Sequence, residues 1–178
     1  MKRNILVLLL IGVLLITGCE SKNEEKIISG GEEVDTKEMV HEHCTRTATA
    51  ESGVEVSLNY DIYYTGDVLN LLKSEEQVVS ASEDALNTYE EAYNKIHANY
   101  QGLDYYDTEV VRGDTTVTST MIINYDKIDM NKLVEIEGST IDIAGDTYEI
   151  YKDGKASASV WKSMAKKVGT TCKKDSEE

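Results

Sequence analysis

Between Val54 and Tyr64 the chain alternates without a break: Val54, Val56, Leu58, Tyr60, Ile62 and Tyr64 against Glu55, Ser57, Asn59, Asp61 and Tyr63. A period of two held this long specifies a strand, because successive strand side chains point to opposite faces. One face must then be covered and the other wet, which suits an antiparallel sheet with a single covered side. Turns bound the segment. Glu51-Ser52-Gly53 follows a short Thr-rich stretch from Cys44 to Ala50, and Thr65-Gly66-Asp67 leads into a return strand from Val68 to Val79. The expectation is a three-strand meander.

The period then changes. Ser80 or Ser82 is placed to cap a helix, with Glu83 at capping-box distance from Ser80. Leu86, Tyr89, Tyr93, Ile96 and Tyr100 fall at three- and four-residue steps, one apolar stripe. The chain has eleven Tyr and no Phe, so tyrosine must serve as core aromatic. A hairpin follows, Tyr105 to Arg112 and Thr115 to Tyr125 around Gly113-Asp114. There Arg112-Gly113-Asp114 reads as turn chemistry in preference to an adhesion tripeptide. A short helix begins near Asp129. Residues 138–156 admit short strands around Ile141, Ile143, Tyr148 and Ile150. Ser157 to Val168 is a last helix with Val160, Trp161, Met164 and Val168 on one side and Gly169 as C-cap. The class is α+β: an antiparallel sheet, meander plus hairpin, packed with two main helices.

The N-terminus carries an address. Lys2 and Arg3 precede an apolar run from Ile5 to Ile16, too short to span a bilayer comfortably. It closes on Ile16-Thr17-Gly18-Cys19, which resembles the lipobox of bacterial lipoprotein signal peptides. Residues 1–18 are therefore expected to be cleaved and Cys19 to carry diacylglyceryl and palmitate-type acyl chains, a two-chain membrane anchor. Residues 19–42 read as an acidic flexible tether, 43–173 as the domain and 174–178 as a charged tail. That places the protein in the bacterial cell envelope, anchored to the membrane and facing the extracytoplasmic side. With Cys19 taken by lipid, Cys44 and Cys172 bracket the domain and are expected to pair as a disulfide in an oxidising compartment.

Several strings resemble the YehR-like family of small bacterial lipoproteins: Tyr63-Tyr64-Thr65-Gly66-Asp67, Tyr100-Gln101-Gly102, and Asn124-Tyr125-Asp126-Lys127 leading into Met130-Asn131-Lys132-Leu133. The likeness covers about residues 43–139 and the final helix. It implies an α+β fold with an antiparallel sheet and packed helices. It implies no activity and carries over no functional residue.

Acids outnumber bases 33 to 18, a net charge of -15. This disfavours nucleic acid, whose phosphates are bound by clustered Lys and Arg. No nucleophile elbow, zincin helix or phosphate-cradling Gly loop is present, so catalytic residues, cofactors and a resident metal are not expected. His41-Glu42-His43-Cys44 is the one string with metal-ligand character, and a metal-binding lipoprotein using His41 and His43 is one alternative. A surface hydrolase without a recognisable motif is the other. The preferred reading is a non-enzymatic binding module. Glu55, Asp61 and Tyr63 on the wet side of the alternating strand form its candidate binding face, suited to a cationic peptide, a cation or a protein with a basic patch.

Overall fold

A computed structural model describes residues 26–49 and 53–175. The signal segment, Cys19, the first part of the expected tether, Glu51-Ser52 and residues 176–178 lie outside the described residues. The chain opens with a small hairpin, β1 (Ile28–Ser29) and β2 (Glu32–Glu33). Its turn uses Gly30 and Gly31, both in the left-handed region at φ +59° and +80°. The meander follows as β3 (Val40–Thr49), β4 (Glu55–Thr65) and β5 (Val68–Val79). Next come α1 (Glu83–Ala98), the hairpin β6 (Tyr106–Arg112) and β7 (Thr116–Asn124), and α2 (Met130–Glu137). The ambiguous stretch resolves into two short hairpins, β8 (Thr140–Ile143) with β9 (Asp146–Glu149), and β10 (Tyr151–Lys152) with β11 (Lys155–Ser157). The chain closes with α3 (Ala158–Lys167) and β12 (Thr171–Lys174).

Meander and hairpin merge into one antiparallel sheet in the order β6-β7-β5-β4-β3-β12. β11, with β10 beyond it, pairs with Val68 and Leu69 at the start of β5, below the first residue that β7 reaches. Three helices pack on this α+β sheet, all on one face. Leu86 and Tyr93 of α1 close a core with Val54, Val78 and Val117. Leu133 of α2 and Trp161, Met164 and Ala165 of α3 close a larger one with Cys44, Ile62, Leu72 and Ile123. Strand register places all of these sheet residues on the same side.

Three local expectations shift. Ser82, not Ser80, caps α1 by accepting the Ala85 N–H, while Ser80 Oγ accepts from Ser82 N–H, so no capping box forms. The α1 stripe passes from Tyr93 to His97 and leaves Ile96 50% exposed, because four residues return closer to the same helix face than three. In α3, Ala158 and Ala165 join Trp161 and Met164 inside, and Val168 sits outside at the C-cap.

The end of α3 matters most. Gly169, at φ +89°, donates its N–H to Lys166 O, and Thr170 donates to Ala165 O, the paired bonds of a Schellman cap. The turn sends the chain back along β3 as β12, and Cys172 arrives opposite Cys44. The two form the expected disulfide.

The tether is shorter than its composition suggests. Val40 to Glu42 already belong to β3, Ile27 and Ser29 are buried, and the Gly30 N–H donates to the Asp107 carboxylate at 2.9 Å. A Gly-Gly turn beside Ile27-Ile28 is enough to fold a segment whose acidity reads as solvated coil. Likewise Lys174 ends β12, and Asp175 is hydrogen-bonded; neither belongs to a free tail.

Candidate functional site

Alternation along β4 sends Glu55, Ser57, Asn59, Asp61 and Tyr63 to the face that carries no helix. At one corner the N-terminal hairpin lies over this face through the Gly30–Asp107 bond. Leu71, which points the same way, is fully buried there although it belongs to neither core. The rest of the face is polar. Its carboxylates are Glu55, Asp61, Glu75, Asp107, Glu109 and Asp175, against Lys73 and Lys173 and, on the β10–β11 hairpin, Lys152 and Lys155.

The organised part is a cluster around Asp61. His43 Nδ1 and His41 Nε2 both reach Asp61 Oδ1, at 2.7 and 3.1 Å. His41 Nδ1 contacts Asp175 Oδ2 at 2.6 Å, and its ring stacks on Tyr63 with centroids 4.4 Å apart and planes 7° from parallel. An ionised carboxylate only accepts, so an imidazole bonded to carboxylates through both nitrogens is the imidazolium. The hydrogen bond that His41 donates to Asp61 is the largest influence on His41, and with Asp175 it raises the pKa above the ordinary 6.5 despite burial. Burial works against the Asp61 carboxylate, but hydrogen bonds from His41 and His43 outweigh it and hold the pKa below 3.8.

The structure thus brings Asp61 and Tyr63 together and leaves Glu55 apart, exposed at the other end of β4. Asp61 is a neutralised carboxylate, not the bare one the alternation suggested. His41, His43 and Asp175 belong to the same cluster. An H-x-H step on a strand puts both rings on one face and is visible in the sequence. The pairing with Asp61 and Asp175 needs the β3–β4 and β12–β3 registers, which are not.

The four residues His41-Glu42-His43-Cys44 do not converge on a metal. His41 and His43 face the open side; Glu42 and Cys44 face the helices, and Cys44 is closed in the disulfide. Among the described residues, no group of three or more His, Cys, Asp or Glu is arranged to hold a metal ion. Glu42 has a different task. It is 6% exposed, accepts from Tyr64 Oη at 2.5 Å and from Lys162 Nζ at 3.0 Å, and the Lys162 ammonium also lies 4.5 Å from the Tyr64 ring centroid. Burial raises the Glu42 pKa, but these two hydrogen bonds outweigh it and hold the group below 4.5.

Two other features have structural occupations. Arg112 turns back onto α1, its Nη2 3.4 Å from Asn87 Oδ1 and its Nε 3.7 Å from Glu90, so the Arg-Gly-Asp string is a hairpin turn. His97 Nε2 meets Ser119 Oγ at 2.8 Å, but Ser119 is buried on the helix-covered face, and burial lowers the His97 pKa.

No protein-family model matches the chain, and no curated protein matches it. Solved structures similar to it include the NMR structure of the Escherichia coli YehR protein. The two are 19% identical with a TM-score of 0.49, over 82% of this chain and 96% of that one. That protein bears the name of the family whose strings this sequence resembles. The NMR structure of a protein from Streptococcus pneumoniae TIGR4 is 16% identical with a TM-score of 0.36, over 60% of this chain and 72% of that one.

Proposed function

We propose that this chain is a membrane-anchored extracytoplasmic lipoprotein, tethered through acylated Cys19, whose domain is a non-enzymatic binding module. The observation that carries the binding role is the asymmetry of the sheet. Among the described residues the three helices and both apolar cores lie on one face. The opposite face is a polar surface with six carboxylates and four lysines, two of which, Lys152 and Lys155, stand apart on the β10–β11 hairpin. A surface of that charge attracts a basic peptide or a protein with a basic patch and repels anionic polymers, most strongly at low salt.

The anchor and the face are tested separately. Intact mass of protein extracted from membranes should show an acylated N-terminus at Cys19, and Cys19→Ser should remove the acyl mass and the membrane partition. An unmodified N-terminus elsewhere contradicts the anchor. For the face, lysine-rich and glutamate-rich peptides are titrated against the full chain. Glu55 and Glu75 are exposed and outside the Asp61 cluster, so Glu55→Lys with Glu75→Lys should weaken lysine-peptide binding and leave unfolding unchanged. Equal binding of both peptides by the original chain contradicts the reading.

A further inference from the structure

Among the described residues the sheet has three outer edges. β12 is four residues long, carries Lys173 and Lys174, and is tied to β3 by the disulfide. β10 is two residues long. The outer edge of β6 is seven residues long, without proline, lysine or a bulge against β7. Natural sheets usually guard an exposed edge with one of those devices or with other charged side chains. The charges that β6 carries, Asp107, Glu109 and Arg112, are mainly acidic and so deter acidic strands but not basic ones.

The ends of β6 set its hydrogen-bond phase. Gly113 donates its N–H to Thr116 O at 2.9 Å, and Asn124 donates to Tyr105 O at 3.1 Å. Gly113–Thr116 and Tyr105–Asn124 are therefore hydrogen-bonded pairs, and such pairs alternate along an antiparallel ladder. Asp107, Glu109 and Val111 turn their amides and carbonyls toward β7. Tyr106, Thr108, Val110 and Arg112 turn theirs outward. Among the described residues no strand pairs with that outer side. The edge is also pre-ordered: Asp107 accepts from Gly30, Arg112 is held on α1, and Tyr106 stacks on Tyr100 with centroids 4.1 Å apart.

Side chains choose the occupant. Asp107 and Glu109 point to the open face beside the outward groups, followed by Val111, 51% exposed. An added antiparallel strand sets alternate side chains opposite these three, which calls for basic, basic and apolar residues. A second copy of this chain fits poorly. Full overlap of two β6 strands about a two-fold axis sets Glu109 against its own copy, between chains each carrying a net charge of -15. We infer that β6 receives an extended basic segment of a partner protein as an additional antiparallel strand, with main-chain hydrogen bonds to Thr108, Val110 and Arg112 and with Asp107 and Glu109 selecting Lys or Arg. Strand addition of this kind draws affinity from the main chain and specificity from alternate side chains. The inference rests on the open-face reading above and names its partner.

The probe is a labelled seven-residue peptide alternating lysine and threonine, with a glutamate–threonine peptide as control, titrated into the full chain. On adding the lysine peptide, the Thr108, Val110 and Arg112 amides should gain protection from hydrogen exchange, while those of Glu109 and Val111 stay as they were. Thr108→Pro removes one outward N–H at an exposed position and leaves the β6–β7 ladder intact. It should weaken binding by about tenfold or more with unfolding unchanged. Glu109→Lys should weaken the lysine peptide and admit the glutamate peptide. Full affinity in Thr108→Pro together with loss in Glu55→Lys/Glu75→Lys puts binding on the face, overturning the strand addition and sparing the functional reading. Full affinity in both variants overturns both. Protection of the same amides by self-association, without peptide, makes a second copy the occupant and also overturns the inference.

Discussion

Glu42 and Asp61 sit on adjacent strands, one on each side of the sheet, and show how one charge type serves two ends. Glu42 is enclosed under α3 with Tyr64 and Lys162, groups that keep their charge state from acid to alkaline pH. Asp61 lies on the open face with His41 and His43, and its hydrogen bond to His41, with that of Asp175, holds the His41 pKa above the ordinary 6.5. The first arrangement fastens α3 to the meander. The second leaves a surface whose charge responds to pH. The difference follows from strand parity: Glu42 and His43 are neighbours in sequence and face opposite ways.

Four variants, taken in order of decreasing effect, separate the two arrangements. Cys44→Ser with Cys172→Ser opens a loop of sequence separation 128 and releases β12 from β3. Chain entropy gives a loss of up to about 4–5 kcal/mol, read from denaturant unfolding under non-reducing conditions. Glu42→Gln leaves the Lys162 ammonium without its anion. Because the Lys162 side chain is 31% exposed and can reach water, the loss is about 2–3 kcal/mol, below that of a fully enclosed pair.

Asp61→Asn comes third, with a pH signature. His41 is raised above 6.5, so its contribution is complete below that value and is lost as pH rises through the folded pKa. Asp61 is lowered below 3.8, so its contribution is complete above 3.8 and is lost as pH falls through the folded pKa. The cluster is therefore worth most between those values. Asp61→Asn should cost about 1 kcal/mol near pH 5.5 and less near pH 8.5. The Glu42 pair behaves otherwise: its carboxylate contributes fully above 4.5, and Lys162, raised above 10.5, contributes fully below that. Glu42→Gln should thus cost the same at both conditions. Equal pH dependence in the two variants breaks the comparison. Glu55→Lys with Glu75→Lys should move stability by less than about 0.5 kcal/mol, and its effect appears in binding alone.

The long elements were legible because their signals are local. β4 and β5 carry alternation and turn residues, and α3 carries its stripe and Gly169. β1, β2 and β12 were not legible, since each is too short for a period and exists through tertiary pairing: Gly30 on Asp107, Cys172 beside Cys44. Polar composition hid the first pair and a lysine-rich end hid the last. The same division applies to the site. Parity along β4 placed Asp61 and Tyr63 on the open face. Asp61's partners come from β3 and from the residue after β12, strands brought alongside by the Schellman turn and the disulfide. Ile96 and His97 make the point on a helix, where adjacent residues of opposite character exchange roles over one position.

The most direct test of the central claim, that the helix-covered face holds the fold and the open face makes contact, is an amide chemical-shift map of the chain titrated with a lysine-rich peptide. The account predicts perturbations concentrated at Glu55, Asn59, Asp61, Glu75 and the outward amides of β6, with α1 and α3 unmoved. Perturbations gathered on α1 and α3, with β4 silent, would contradict it.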